Sequence, residues 1–480
     1  MQPLVNRDNH TYLYRQVADI IRQMQINGTL KAGERIPSLR QLATTLNISV
    51  PTVKQAYEEL ERIGMLESRP KSGYFLRVNP PGNAVPRKPK LATKALPVSR
   101  QQLIEQAYNA IHVPGIIPLG ICNPVAALPS NKALARCMRR VMSMAGEQAI
   151  GYGPFAGFEP LKRQLALRYL DMDMKVNPDQ IVITNGAQEA LTLALKLVAS
   201  PGDIIAVESP CYFGILELIE SLGMLAYEIP VCPQEGISVD DVIQALDRHP
   251  IKACVLSSSI TNPMGALNSE ESKRQLVALL EARRVYLVED DVYGDLYFGE
   301  KRGLPAQRYA TQGWVLTCSS FSKTAAPSHR VGWLLAPGLA NQAASLKRAL
   351  SCSSSLLNQW SLSEFIGSGE YDRYLRQLRQ VLFTNKERML ACIARHFVSG
   401  TRVSNPAGGA VLWLELPKKL DGNMLFQQAL PLGVSLMPGT LFAPSDKYRH
   451  CIRLSYGLPW SSQVEDAVAA IGQLSKCQHS

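Results

Sequence analysis

No C-x-x-C pair occurs among the ten cysteines, which lie scattered through the chain. That pattern argues against a cysteine metal site and against a disulfide framework, and it fits a reduced compartment. No apolar run is long enough to span a bilayer; the helical stretch from Ala190 to Val198 is broken by Lys196. The opening residues are polar and charged from Asn6 to His10, so no signal peptide is expected. Internal repeats are absent as well. The expectation is a cytoplasmic chain with no metal and no membrane partner.

What is present is ordinary in bulk and uneven in detail. The 480 residues are 46% hydrophobic and 19% charged, a globular composition on a chain too long for one compact core. Two or three domains are expected. Residues 1–95 hold 15 Lys and Arg against 7 Asp and Glu, while the other 385 hold 36 against 33. A basic head on a nearly neutral body is the footprint of a nucleic-acid partner, although a solvated face or a membrane surface would carry the same charge.

Within the head, Leu13, Val17, Ile20, Ile21 and Met24 recur at helical spacing between Tyr12 and Ile26. Pro37-Ser38 opens a second helix, with Gln41 three residues after the Ser38 cap and a buried stripe of Leu39, Leu42, Ala43 and Leu46. The turn Asn47-Ile48-Ser49 leads to a third helix ending near Ile63. Its inward residues are Val53, Ala56, Tyr57 and Leu60, and Pro51 is tolerated in its first turn. Met65 to Val78 reads as a β-hairpin with its tip at Arg69-Pro70-Lys71-Ser72-Gly73. Two tightly joined helices backed by a basic hairpin make a winged helix-turn-helix. Its third helix enters the major groove, and its wing touches backbone or minor groove.

The run Arg35 to Ala43, with Thr52-Val53, Ala56-Tyr57, Leu60, Gly64 and Gly73, resembles the GntR-type winged helix of bacterial regulators. The resemblance implies that Arg40, Ser49, Thr52, Lys54 and the wing residues Lys71, Ser72 and Gly73 meet double-stranded DNA. Arg40 and Lys54 suit phosphates or base edges, and Ser49 and Thr52 suit phosphate oxygens. The chain departs from many relatives at Val50-Pro51, where they carry Arg or another polar residue. From Asn79 to Ser99 come five prolines, several basic residues and few large apolar ones. This stretch cannot build a core and is expected to be a semi-extended, mobile tether between a head at 1–78 and a body at 100–480.

In the body, strand-like runs alternate with helical stretches, which predicts a largely parallel sheet covered by helices. Such sheets hold ligands at the carboxyl ends of their strands. Ile181 to Thr184 is followed by Asn185-Gly186-Ala187-Gln188, small residues at a helix N-terminus whose free N–H groups suit a phosphate. After Ile204 to Val207 comes Tyr212, able to stack on a ring; after Ala253 to Leu256 comes Asn262. After Val285 to Val288 come Asp290 and Tyr293, and Trp314 to Cys318 delivers Ser320, Ser322 and Lys323, with Arg330 beyond. A lysine in a partly desolvated pocket loses its proton easily and forms a Schiff base with an aldehyde. Two serines and an arginine are donors that a phosphate needs. Each residue also has a plain structural reading: a turn, a core aromatic, a capping Asp, a surface lysine. In order, they make a phosphate cradle, a stacking ring, phenolate donors, a carboxylate for a pyridinium and an imine lysine. The combination points to pyridoxal phosphate.

Residues from about 115 to 470 resemble the fold-type I aminotransferases related to aspartate aminotransferase. The matching pieces are Tyr152 with Gly157, Asn185 to Gln188, Pro210 with Tyr212, Asn262-Pro263 with Gly265, and Asp290 with Tyr293. Further on are Ser320 to Lys323 with Arg330-Val331-Gly332, Pro406 to Gly409, Pro438-Gly439 with Phe442, and Arg453-Leu454-Ser455. The resemblance implies an α/β domain of fold type I with a smaller C-terminal α+β subdomain at about 345–480. It implies that Lys323 carries the cofactor and shuttles a proton, that Asp290 keeps the pyridine nitrogen protonated, and that Asn262 and Tyr293 bond the phenolate oxygen. Tyr212 would stack on the ring, and Ala187, Gln188, Ser320, Ser322 and Arg330 would hold the phosphate. Tyr152 would reach that phosphate from the neighbouring subunit of a homodimer, and Arg453 would clamp a substrate carboxylate.

Head and body together resemble the MocR subfamily of transcription regulators. That implies a regulator which senses an amino acid or amine through aldimine exchange at Lys323. Every group needed for transamination is present, so a working aminotransferase with a secondary DNA head is the alternative, and a sensor of cofactor level is a third reading.

Overall fold

The computed structural model describes residues 12–26, 29–30, 33–62, 65–69, 73–76, 84–96, 101–111, 113–122, 131–299 and 302–479. The chain divides into two compact units, Met1–Gly82 and Asn83–Ser480. In the first, helices α1 (Leu13–Ile26), α2 (Leu39–Leu46) and α3 (Val50–Arg62) precede an antiparallel hairpin of β1 (Leu66–Arg69) and β2 (Gly73–Leu76). Ser38 caps α2 by accepting from the Gln41 amide at 3.3 Å, and Asn47 ends it in the left-handed region. Val17, Ile21, Leu42, Ala43, Val53, Ala56, Tyr57 and Leu60 share one core, with Leu39 and Leu46 at its edge. The helical spacing in the sequence is the spacing of that core.

The second unit opens with α4 (Gln101–Ile111) and the short strand β3 (Ile117–Pro118). Its main strands are β4 (Ile181–Thr184), β5 (Ile204–Ser209), β6 (Leu225–Cys232), β7 (Gly236–Ile237), β8 (Ile251–Leu256), β9 (Tyr286–Asp290), β10 (Val315–Ser320) and β11 (Gly332–Leu335). They form one eight-stranded sheet in the order β4-β11-β10-β9-β8-β5-β6-β7. Strands β10, β9, β8, β5 and β6 run parallel, whereas β11 is antiparallel to both β10 and β4. The strands read as continuous apolar runs because both faces are covered. Val182, Val207, Val255, Val288 and Leu316 pack into one core, and their neighbours Ile183, Ala206, Cys254, Leu287 and Val315 into the other. Helices α6 (Glu159–Leu170), α7 (Ala187–Val198) and α8 (Phe213–Ser221) are among those flanking it, while α5 (Asn131–Ala145) packs on another helix, Leu356–Gly367.

A smaller antiparallel sheet follows, with β12 (Arg402–Val403), β13 (Val411–Glu415), β15 (Met437–Pro438) and β16 (Cys451–Ser455) in the order β12-β13-β16-β15. Strand β14 (Val434–Ser435) pairs instead with β3. Among the described residues, no helix is long and apolar enough to cross a membrane.

One expectation changes. The stretch read as a mobile tether is tied down over residues 84–96. Ala84 bridges Arg402, the Arg87 amide donates to Glu415 at 2.8 Å, and Lys88 pairs with Asp241 at 2.7 Å. The Tyr227 hydroxyl donates to the Ala92 carbonyl at 2.7 Å, and Leu96 exchanges two backbone hydrogen bonds with Ala226. Prolines stop this segment from building its own ladder, but they leave it extended, with carbonyls free to cover exposed edges of β6 and β12.

Candidate functional site

The carboxyl ends of β4, β5, β8, β9 and β10 lie along one edge of the large sheet and converge on a cavity of about 280 Å³. β4 ends at Asn185-Gly186, where Gly186 (φ 85°) caps α7 so that the first turn of the helix, Ala187 and Gln188, forms part of the wall. A Cβ on Gly186 would lie 2.5 Å from the Arg330 guanidinium, which donates to the Asn185 carbonyl at 2.9 Å. The bare glycine lets turn and arginine share the space. β5 leads to Tyr212, β8 to Asn262, β9 to Asp290 and Tyr293, and β10 to Ser320, Ser322 and Lys323. Strand β16 of the small sheet brings Arg453. All of these line the cavity. Tyr152 stands apart, 87% exposed.

Lys323 Nζ donates to the carbonyl of Cys122, whose Sγ lies 2.7 Å from the Tyr293 hydroxyl. Arg453 donates to Asn262 Oδ1 at 3.2 Å and to the Gly120 carbonyl at 2.7 Å. Its Nε has no partner although the residue is only 2% exposed, and no carboxylate among the described residues pairs with it. Sequence reasoning missed Tyr108, Gly120 and Cys122, which also line the cavity. Cys122 comes 201 residues before Lys323, and the Gly120 and Asn123-Pro124 around it signal a turn without saying that the turn faces a cavity.

Burial pushes Asp290 up to about 7; the Val292 amide, donating at 3.3 Å, opposes the shift and the neighbouring Asp291 adds to it. Burial likewise lowers the pKa of Lys323, and the cations Arg453 and Arg330 work in the same direction. Tyr212 and Tyr293 are held in their neutral forms by burial. These features fit pyridoxal phosphate. A helix N-terminus with two serines and an arginine suits its phosphate, and a ring N–H would relieve the buried Asp290. The lowered pKa of Lys323 is the direction that favours a nucleophilic amine. The orphaned Arg453 Nε calls for an acceptor, and a carboxylate is the acceptor that matches the guanidinium fork.

On the first unit, Arg40, Ser49 and Lys54 are exposed and Thr52 is partly so. Ser49 caps α3 by accepting from the Thr52 amide at 3.3 Å, and the two hydroxyls lie 2.7 Å apart. Lys54 pairs with Glu58 at 3.5 Å across one helical turn. Lys71 and Ser72 lie outside the described residues. Gly73 has φ 95°, and a Cβ there would sit 3.4 Å from the Arg35 guanidinium. Arg35 thus adds a cation at the foot of the wing that sequence reasoning did not count as a contact.

Two family models match the chain. Aminotransferase class I and II covers residues 115–471, and the gntR family of bacterial regulatory proteins covers residues 13–76. The chain is 34% identical to the uncharacterized HTH-type transcriptional regulator YdcR of Escherichia coli, over 96% of this chain and 98% of that one. It is 28% identical to the probable rhizopine catabolism regulatory protein MocR of Rhizobium meliloti, over 91% and 88% of the two chains. Among solved structures, LysN, an α-aminoadipate aminotransferase from Thermus thermophilus complexed with N-(5'-phosphopyridoxyl)-L-leucine, matches with a TM-score of 0.71 and 27% identity. That match covers 80% of this chain and 99% of LysN.

Proposed function

Because the chain belongs to the aminotransferase class I and II family and carries a gntR-family head, in the layout of the MocR subfamily, we propose that it is a DNA-binding transcription regulator sensing an amino acid or amine. The observation that carries the sensing part is the meeting of Lys323, Asp290, Asn262 and Arg453 in one cavity. Pyridoxal phosphate is the cofactor, and it supplies an aldehyde for an amine to hold and a ring that withdraws electrons.

The amides of Ala187 and Gln188, with Ser320, Ser322 and Arg330, bind the phosphate. Asp290 accepts from the ring nitrogen, Tyr212 covers the ring face, and Asn262 and Tyr293 orient the phenolate oxygen. Lys323, its proton weakly held, supplies the amine with which an effector amine competes, and Arg453 receives the effector carboxylate in bidentate fashion. Arg40, Ser49, Thr52 and Lys54, with the wing residues Lys71, Ser72 and Gly73, meet the operator. The exposure of Ile150 (90%) and Tyr152 (87%) supports a homodimer in which Tyr152 serves the neighbouring cavity. The protein works in the cytoplasm. An effector switches it only if it binds two arrangements of the dimer with different affinity.

A gel-shift assay on the DNA just upstream of its own gene tests this reading, with and without pyridoxal phosphate and candidate amino acids. Salt-sensitive binding modulated by one of them is expected. Absence of DNA binding, together with rapid turnover of an amino acid and a 2-oxo acid, would establish the aminotransferase instead.

A further inference from the structure

Behind the wall that carries Asp290 and Tyr293 lies a second group of charged side chains, none of which lines the cavity itself. Arg302 pairs through one Nη with Asp291 and through the other with Asp295 at 3.2 Å. Asp291 follows Asp290 directly and Asp295 comes two residues after Tyr293, so a single guanidinium ties together the turn that carries both. Asp291 then reaches the other loops. Its Oδ1 accepts from Ser259 Oγ at 2.8 Å, three residues before Asn262. Its carbonyl accepts from Ser319 Oγ at 2.9 Å, four residues before Lys323. Asp295 accepts from the Tyr371 hydroxyl at 3.2 Å, and that hydroxyl lies 2.9 Å from Thr324 Oγ1, next to Lys323.

Two more arginines complete the group. Arg168 pairs with Asp295 at 3.3 Å, and Arg379 Nε donates to the Asp295 carbonyl at 2.6 Å. The side chains of Asp291 and Arg302 are 2% and 16% exposed. A carboxylate at that depth is costly without its counter-ion, so the loop conformation that pairs both acids is strongly preferred. Burial pushes the Asp295 pKa up, but Arg302, Arg168 and Arg379 outweigh it and hold the carboxyl below its ordinary value.

We propose that Arg302 is a positioning residue. By clamping Asp291 and Asp295 it sets where Asp290 and Tyr293 meet the cofactor, and through Ser259, Ser319 and Tyr371 it keeps Asn262 and Lys323 in register with them. This rests on the roles given above to Asp290, Tyr293, Asn262 and Lys323.

The test uses the full chain carrying Arg302→Met, Arg302→Lys or Tyr371→Phe. Three quantities are read: retention of pyridoxal phosphate on dilution, the pH midpoint of the bound cofactor's absorbance, and the melting temperature of the cofactor-free chain. Arg302→Met is expected to weaken retention at least about tenfold, the scale found when outer partners of a bound group's ligands are removed. It also moves the midpoint upward, because a positive charge behind Asp290 is gone. Arg302→Lys keeps the charge without the fork, so the midpoint returns while retention recovers only in part. Tyr371→Phe loses a smaller share of retention with the midpoint unchanged. An Arg302→Met chain that melts lower but keeps parental retention and midpoint overturns the inference, since the arginine is then merely structural. If Arg302→Met does not fold, Tyr371→Phe decides: parental retention overturns the proposal and reduced retention supports it. A parent chain that takes up no pyridoxal phosphate sinks the reading of the cavity itself, a different failure.

Discussion

At the residue scale the proposed chemistry rests on Lys323 and Asp290, whose ordinary charges are both opposed by burial. Lys323→Ala is expected to abolish borohydride-trapped cofactor, read as the loss of the added mass on the protein, while weak phosphate-held binding persists. For Asp290 the sign can be worked out. A carboxyl pushed up to about 7 keeps its proton in the folded chain at pH values where the unfolded chain has lost it. The cofactor-free protein therefore has this contribution in full below about pH 4 and loses it as the pH rises through 7. In thermal melts, Asp290→Asn should gain on the parent across that window, by at most roughly 4 kcal/mol. An equal pH profile for the two chains would show that Asp290 titrates normally. The residue types at this scale were legible: Asp290, Tyr293 and Lys323 each follow a recognisable strand. The Cys122 contact to Lys323 and Tyr293 was not, because nothing local marks a cysteine beside a turn as facing a cavity.

Elements bring different constraints. The turn into α7 works because Gly186 holds a backbone conformation that is nearly glycine-only and leaves room for Arg330. Gly186→Ala should cost about 1–3 kcal/mol in urea unfolding and lower cofactor retention. In the head, Ser38 and Ser49 begin α2 and α3 by capping; the first cap was visible as Ser followed three residues later by Gln41, whereas Ser49 was read only as the end of a turn. Arg40 and Lys54 stand exposed on those helices. Arg40→Ala with Lys54→Ala should reduce the slope of log affinity against log salt by about 2 per head, with cofactor absorbance unchanged. An unaltered slope would mean that other residues face the phosphates. The role of α4 was beyond sequence reasoning, because nothing within Gln101–Ile111 tells that Tyr108 borders the cavity.

Across the whole molecule, residues 84–96 form the feature with the widest consequence. They are held by Arg402 and Glu415 of the small sheet and by Tyr227, Ala226 and Asp241 around the large one. Arg453 on β16 and Lys323 after β10, which line one cavity, belong to the same two sheets. Any shift between the sheets would therefore load this segment. Lys88→Ala combined with Tyr227→Phe should release it, so that trypsin cuts at Arg87, Lys90 and Lys94 about tenfold faster, the factor expected from one or two lost hydrogen bonds. Cofactor absorbance should not change. Equal cutting rates would mean that the segment is as loose in the parent chain as its composition suggests.

By itself the sequence determined whatever local periodicity and order along the chain encode: the three helices and wing of the head, the alternation that makes a largely parallel sheet, and a lysine at a strand's carboxyl end. Tertiary structure alone decided which distant groups share one space, such as Arg453 with Asn262, or Arg302 with Asp291 and Asp295. It also decided that a proline-rich stretch lies docked. The reason is physical. Apolar spacing is written into a single segment, whereas the partner of a buried charge or a free sheet edge is chosen by packing among segments hundreds of residues apart.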